Sequence, residues 1–156
     1  QPRRGTRMQV MRSMLDALFT RRAGLSELER LILAEAESCL RPDIAGLWRR
    51  QVGAINDVIR SPGGGSIRLR CVRRGRPVVD PALAWPNRRE DCHLVTVVLQ
   101  VEGGFSPVQA RICSTQGYLS AIIYQGDAVY LEQLSKMRQA FDITIESHLV
   151  QDPALA

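Results

Sequence analysis

Aromatic side chains are scarce in this chain: Phe, Trp and Tyr make up 5% of its 156 residues. Histidine occurs at two positions only, His93 and His148, and lysine only at Lys136. No apolar run approaches the roughly 18 to 20 residues that a membrane-spanning helix needs. The longest, residues 94–99, is already interrupted by Thr96. The basic opening Gln-Pro-Arg-Arg-Gly-Thr-Arg is followed by residues apolar on one helical face, not by the unbroken apolar stretch of a secretory signal. No membrane association is therefore expected. Cysteine is present four times, at Cys39, Cys71, Cys92 and Cys113, without any C-x-x-C spacing. Zinc ligands come in close clusters, so scattered thiols and two histidines predict no metal site. Within apolar or strand-like segments a free cysteine behaves as a small hydrophobe, and reduced thiols imply a cytoplasmic protein.

Other chemistry is missing as well. Gly63-Gly-Gly65 lacks the Lys-Ser or Lys-Thr that a phosphate loop requires and does not follow a strand. G-x-S-x-G is absent. Glu35 and Glu37 diverge on a helix, and Glu90-Asp91 has no partner that would make it an acid–base pair. No cofactor and no catalytic residue is expected. A small cysteine-dependent enzyme is the third-ranked reading. It would use Cys92 or Cys113 with His93 or His148. Adjacent Cys92 and His93 point to opposite faces of a strand, which leaves a cross-strand pairing of Cys113 with either histidine.

What the chain does have is ordinary core-forming capacity, with 45% apolar residues in 156. This is the size of one domain, expected to cover residues 1–156. Its net charge of +5 is unevenly spread. Residues 1–26 hold six Arg against one Asp, and residues 61–90 hold seven Arg against two acids. Residues 91–156 hold three basic groups against seven acids.

The side-chain rhythm changes along the chain. A helical stripe is read from Met8, Met11, Met14, Leu15, Leu18 and Phe19. Ser26 and Glu29 form a capping box that opens a second helix. Pro42 opens a third, with a stripe of Ile44, Leu47, Trp48, Val52, Ile55, Val58 and Ile59. Gly63-Gly-Gly65 is read as a helix-to-strand turn. Beyond it the period becomes two: Ile67, Leu69 and Cys71 alternate with Arg68 and Arg70. Arg73-Arg-Gly-Arg76 reads as a hairpin tip. Strands are expected near 93–101, 108–113, 118–124 and 141–150, with 128–140 an ambiguous helix. Short turns make the sheet antiparallel. The expected class is α+β: about three N-terminal helices, in a helical half near 6–60, packed on a mainly antiparallel sheet of four to five strands, in a β-rich half near 66–150.

One constellation stands out. Arg68, Arg70, Arg73, Arg74, Arg76, Arg88 and Arg89 fall within 22 residues, enough guanidinium groups to meet several anionic groups of a partner. Trp85, in a proline-bounded loop, is either an interface anchor or the plug of a core end. The Arg73-Arg-Gly-Arg-Pro turn, the Trp85-Pro-Asn-Arg-Arg-Glu-Asp loop and the valine-rich strand after them resemble a loose group of small bacterial α+β proteins. The likeness spans roughly residues 25–126. It implies a bacterial α+β domain and assigns no catalytic residue. The leading expectation is a non-catalytic module that binds another protein, an immunity or companion factor being one form. Its interface candidates are those seven arginines and Trp85. An RNA- or DNA-binding domain using the same arginines is the alternative. The sequence specifies no oligomeric state.

Overall fold

The fold was obtained as a computed structural model, and it describes residues 6–10, 24–104, 106–136 and 141–156. The capping box is formed as expected. Ser26 Oγ accepts from the Glu29 amide, and Glu29 Oε1 accepts from the Ser26 amide. It starts helix α1 (Glu27–Glu37), which buries Leu28, Ile32, Leu33 and Ala36. Pro42 opens α2 (Pro42–Ala54), which buries Ile44, Ala45, Trp48 and Gln51.

Helix α2 ends earlier than its apolar stripe suggests. Val58 and Ile59, read as helical, lie in strand β2 (Asp57–Arg60). Asn56 explains the break, because its side chain both accepts from the Val72 amide and donates to the Val72 carbonyl. That bracket, with the Asn56 amide donating to the Arg70 carbonyl (3.1 Å), holds the chain beside strand β3 (Ser66–Arg70) rather than in another helical turn. Val58 is then buried opposite Leu69, while Ile59 opposes Arg68 and is 44% exposed. Gly63-Gly-Gly65 is consequently the turn of a β2–β3 hairpin, not a helix-to-strand turn. Ser61 closes it through its amide and its hydroxyl.

Next comes a two-stranded ribbon, β4 (Val72–Arg73) and β5 (Arg76–Pro77). Arg74 and Gly75 at its tip both have positive φ, 52° and 75°, the backbone of a two-residue hairpin turn. A 3-10 turn (Pro81–Leu83) leads to strands β6 (Cys92–Val101), β7 (Val108–Thr115) and β8 (Tyr118–Gln125). Helix α3 (Ala128–Lys136) and strand β9 (Phe141–Leu149) follow. The end of the helix read over 128–140 lies outside the described residues.

Residues 8–10, read as the start of a helix, belong to strand β1 (Thr6–Val10), paired antiparallel with β9. Residues 11–19 of that expected helix lie outside the described residues. With β1 and β2 added, the main sheet has seven strands instead of four to five, in the order β1-β9-β6-β7-β8-β3-β2. Every neighbouring pair is antiparallel. The α+β class stands, with three helices among the described residues.

The helices lie on one face of the sheet. α1 packs on β9 and β6 and touches both other helices, and α2 meets β8 and the 3-10 turn. Their buried residues join Ile67, Leu69, Val97, Ile112, Ile122 and Ile145 in a single core. Arg68, Ala121, Cys113 and His93 form a cross-strand row on the opposite face, which no described helix covers. An antiparallel sheet tolerates this, since alternate side chains can meet water.

Candidate functional site

The two-residue rhythm of β3 sets the site. Ile67 and Leu69 are buried at 3% and 4% exposure, and Arg68 points out from the open face. Arg70 is half-buried and engaged: its Nε and Nη2 reach Asp57 Oδ2 at 2.8 and 2.5 Å, locking the β2–β3 pair from outside. Arg73, Arg74 and Arg76 stand exposed around the ribbon tip.

Arg88 and Arg89 are brought to the same end of the sheet. The loop carrying them is pinned by Asn87, which is buried. The Asn87 amide donates to the Pro153 carbonyl (2.9 Å), its Nδ2 donates to the Asp152 carbonyl (3.2 Å), and its Oδ1 accepts from the Arg89 amide (3.2 Å). The Arg89 carbonyl in turn accepts from Gln116 in the β7–β8 turn. Gly117 follows with φ +90°, and a Cβ there would lie 2.8 Å from the Trp85 carbonyl, so the close loop approach requires glycine. Both arginines are exposed.

Trp85 takes no part in this surface. It has 0% exposure and stacks on Trp48 at 5.6 Å between ring centroids, the core-plug alternative. The Trp48 indole donates to the Leu33 carbonyl. Buried Gln51 ties this region together by donating to the Leu83 and Gly117 carbonyls and accepting from the Leu119 amide.

Among the described residues, Arg68, Arg73, Arg74, Arg76, Arg88 and Arg89 have no carboxylate partner; Arg70 is the one member of the predicted set that does. Arg111 on the open face is also without one, and the sequence reading had not singled it out. Its signal was present, since Gln109 and Arg111 alternate with buried Val108, Ala110 and Ile112.

Between the ribbon, the 3-10 turn and the end of α2 lies a groove of about 520 Å³. Leu69, Val78, Leu83 and Tyr118 line it, with Arg70 and Arg73 at its edge. Its wall is tethered: the Val78 amide donates to the Cys71 carbonyl (2.9 Å), and the Tyr118 hydroxyl donates to the Asp80 carbonyl (3.0 Å). An adjoining open hollow of about 660 Å³ is lined by Arg73, Arg74, Arg76 and Val78. Sequence reasoning located its arginines but not the groove, whose lining is drawn from α2, β3, the ribbon, the 3-10 turn and β8.

The cysteine chemistry has a less favourable setting. Cys113 and His93 are cross-strand neighbours, yet the His93 ring is paired with the Thr96 hydroxyl at 2.9 Å. Burial pushes the Cys113 thiol up, against the opposing pull of Arg111, the reverse of what an activated thiolate needs. Burial, then Arg111, lowers His93. The Cys92 thiol is buried and donates to Gln151 Oε1 (2.8 Å). His148 lies 3.6 Å from Glu146. No group of three or more His, Cys, Asp or Glu is arranged to hold a metal among the described residues, and no described helix is long and apolar enough to cross a membrane.

The chain matches no family model, no curated protein and no solved structure.

Proposed function

We propose that this chain is a non-catalytic protein-binding module, working in the bacterial cytoplasm, that recognises an acidic partner through the arginine-bearing end of its sheet. An immunity or companion role for another bacterial protein is one form this takes. The observation that carries the reading is the cluster of guanidinium groups around the β4–β5 ribbon. These groups lack carboxylate partners among the described residues and stand beside an apolar groove. Charge of one sign around an apolar patch steers association and selects partners. The four cysteines are all free thiols, which agrees with a reducing compartment.

Nucleic-acid binding is the second reading, and the same guanidinium groups favour it. Single-strand binders stack bases on aromatic rings, and among the described residues the two rows of the open face that hold Arg68 and Arg111 carry no Phe, Tyr or Trp. Those two rows are Arg68, Ala121, Cys113, His93 and Ile123, Arg111, Thr96, His148.

Affinity purification from the native host after nuclease treatment, with the wild type and with Arg73→Glu/Arg74→Glu/Arg76→Glu, tests the proposal. A stoichiometric protein that is lost with the triple variant supports it. Nucleic acid recovered in place of a protein overturns it in favour of the second reading.

A further inference from the structure

The groove and the hollow beside it share Arg73 and Val78, so they form one continuous track. One end of the track is apolar, floored by Leu69 and Leu83 and flanked by Tyr118. The other end carries Arg73, Arg74 and Arg76. Val79, at 66% exposure, is the most exposed of the large apolar side chains of the described residues and sits on the rim. Two nearby carboxylates make no ion pair with these cations. Asp57 is held by Arg70, and Asp80 Oδ1 accepts from the Ala82 amide at 3.0 Å. A volume near 520 Å³ is within the range of about 300–1,000 Å³ typical of ligand sites. The tethers at Val78 and Tyr118 make the walls preformed, which lowers the ordering cost of binding.

We infer that this track binds an extended segment of a protein partner in which a short apolar stretch is joined to an acidic one. The segment lies along the track, so its two halves meet the apolar and the cationic ends in turn. Its apolar side chains enter the groove over Leu69 and Leu83, and its carboxylates meet Arg73, Arg74 and Arg76 in forked, charge-assisted contacts. The inference rests on the protein-binding reading and specifies the chemistry of the segment recognised.

The test uses fluorescein-labelled hexapeptides in which three residues of Leu, Val or Phe are joined to three Glu, in either order, beside an all-Glu hexapeptide and an oligouridylate of similar charge. Binding is followed by anisotropy and by amide chemical shifts of the whole chain. At least one mixed peptide is expected to bind about tenfold more tightly than all-Glu. Its shifts should be concentrated at residues 69–83 and 118. Exposed substitutions Arg73→Glu and Val79→Asp should each weaken it about tenfold with an unchanged melting temperature. No binding by any mixed peptide, all-Glu or oligouridylate binding as tightly as the best mixed peptide, or indifference to both substitutions overturns the inference. If the native partner is still captured, and is lost with the triple arginine variant, while the mixed peptides fail, this track is wrong and the module reading survives. Recovery of nucleic acid in place of a protein removes both.

Discussion

Arg60 joins strand β2 to helix α1 through a carboxylate that water scarcely reaches, and its removal has a calculable consequence. Glu29 is 2% exposed, whereas the Arg60 side chain is 44% exposed. The guanidinium donates from Nη2 to Glu29 Oε1 at 2.7 Å and from Nε to Oε2 at 3.2 Å, and also reaches the Gly24 carbonyl. Arg60→Met leaves the charge on Glu29 supported chiefly by the Ser26 amide (2.8 Å). Stripping one partner from a fully buried pair costs about 3–5 kcal/mol. Because Arg60 is half-open, water takes up part of that load, and a loss of about 2 kcal/mol is expected. For a chain of this length that lowers the melting temperature by about 4–8 °C. Circular-dichroism melts and urea titration near neutral pH measure it. The loss should persist in about 0.5 M salt, since a buried carboxylate is screened far less than an exposed one. Adding Glu29→Gln to Arg60→Met should restore about half, because the amide oxygen still accepts from Ser26 and no unpaired charge remains. A loss below about 0.5 kcal/mol, or a double variant weaker than the sum of the single losses, would refute the reasoning.

Three other outcomes are expected. Burial raises the Glu132 carboxyl, with Glu29 nearby adding to the shift against the Ser26 hydrogen bond (2.5 Å) and the charges of Lys136 and Arg60. The folded chain therefore holds this proton more tightly than the unfolded one. The stability it contributes is complete below the ordinary value of 4.5 and is lost as pH rises through the raised folded value. Glu132→Gln should accordingly gain on the wild type as pH rises over that window in urea titrations, and parallel stability curves would contradict this. Gln51→Leu strands the Leu83 carbonyl and the Leu119 amide inside the core, while the Gly117 carbonyl keeps the Trp85 amide. It should cost about 3 kcal/mol by denaturant unfolding, with a value under about 1 counting against the role assigned to Gln51. Arg111→Gln removes the second cause that depresses His93 while leaving burial, the first. An NMR titration should show the His93 pKa rising without reaching 6.5, and an unmoved value would contradict the contact.

Where one periodicity dominates, the elements follow from the sequence. The capping box at Ser26 and Glu29, the proline start of α2 and the alternation at 67–70 each have a local cause, and each is formed. The arginine tip at 73–76 is also local, because Gly75 permits the turn. Strand β2 was hidden because Val58 and Ile59 continue the helical spacing of Ile55. Four residues are too few to separate a two-step from a three-and-a-half-step rhythm, and the decision is made by Asn56 bonding to Val72, 16 positions away. Strand β1 was read as helix for a similar reason, since its partner β9 lies at the far end of the chain. The groove was not legible at all, because its lining comes from α2, β3, the ribbon, the 3-10 turn and β8 together. Trp85 was open between anchor and plug until its stacking on Trp48 placed it in the core.

Partner recognition is proposed at the ribbon end of the sheet. Hydrogen–deuterium exchange of the chain with and without the captured partner measures this most directly. Slowed exchange is expected to be concentrated at residues 70–80 and around Gln116 and Tyr118, with β1 and β9 unchanged. Protection centred on the β1–β9 edge, or on the face bearing Thr96, Arg111 and His148, would contradict it.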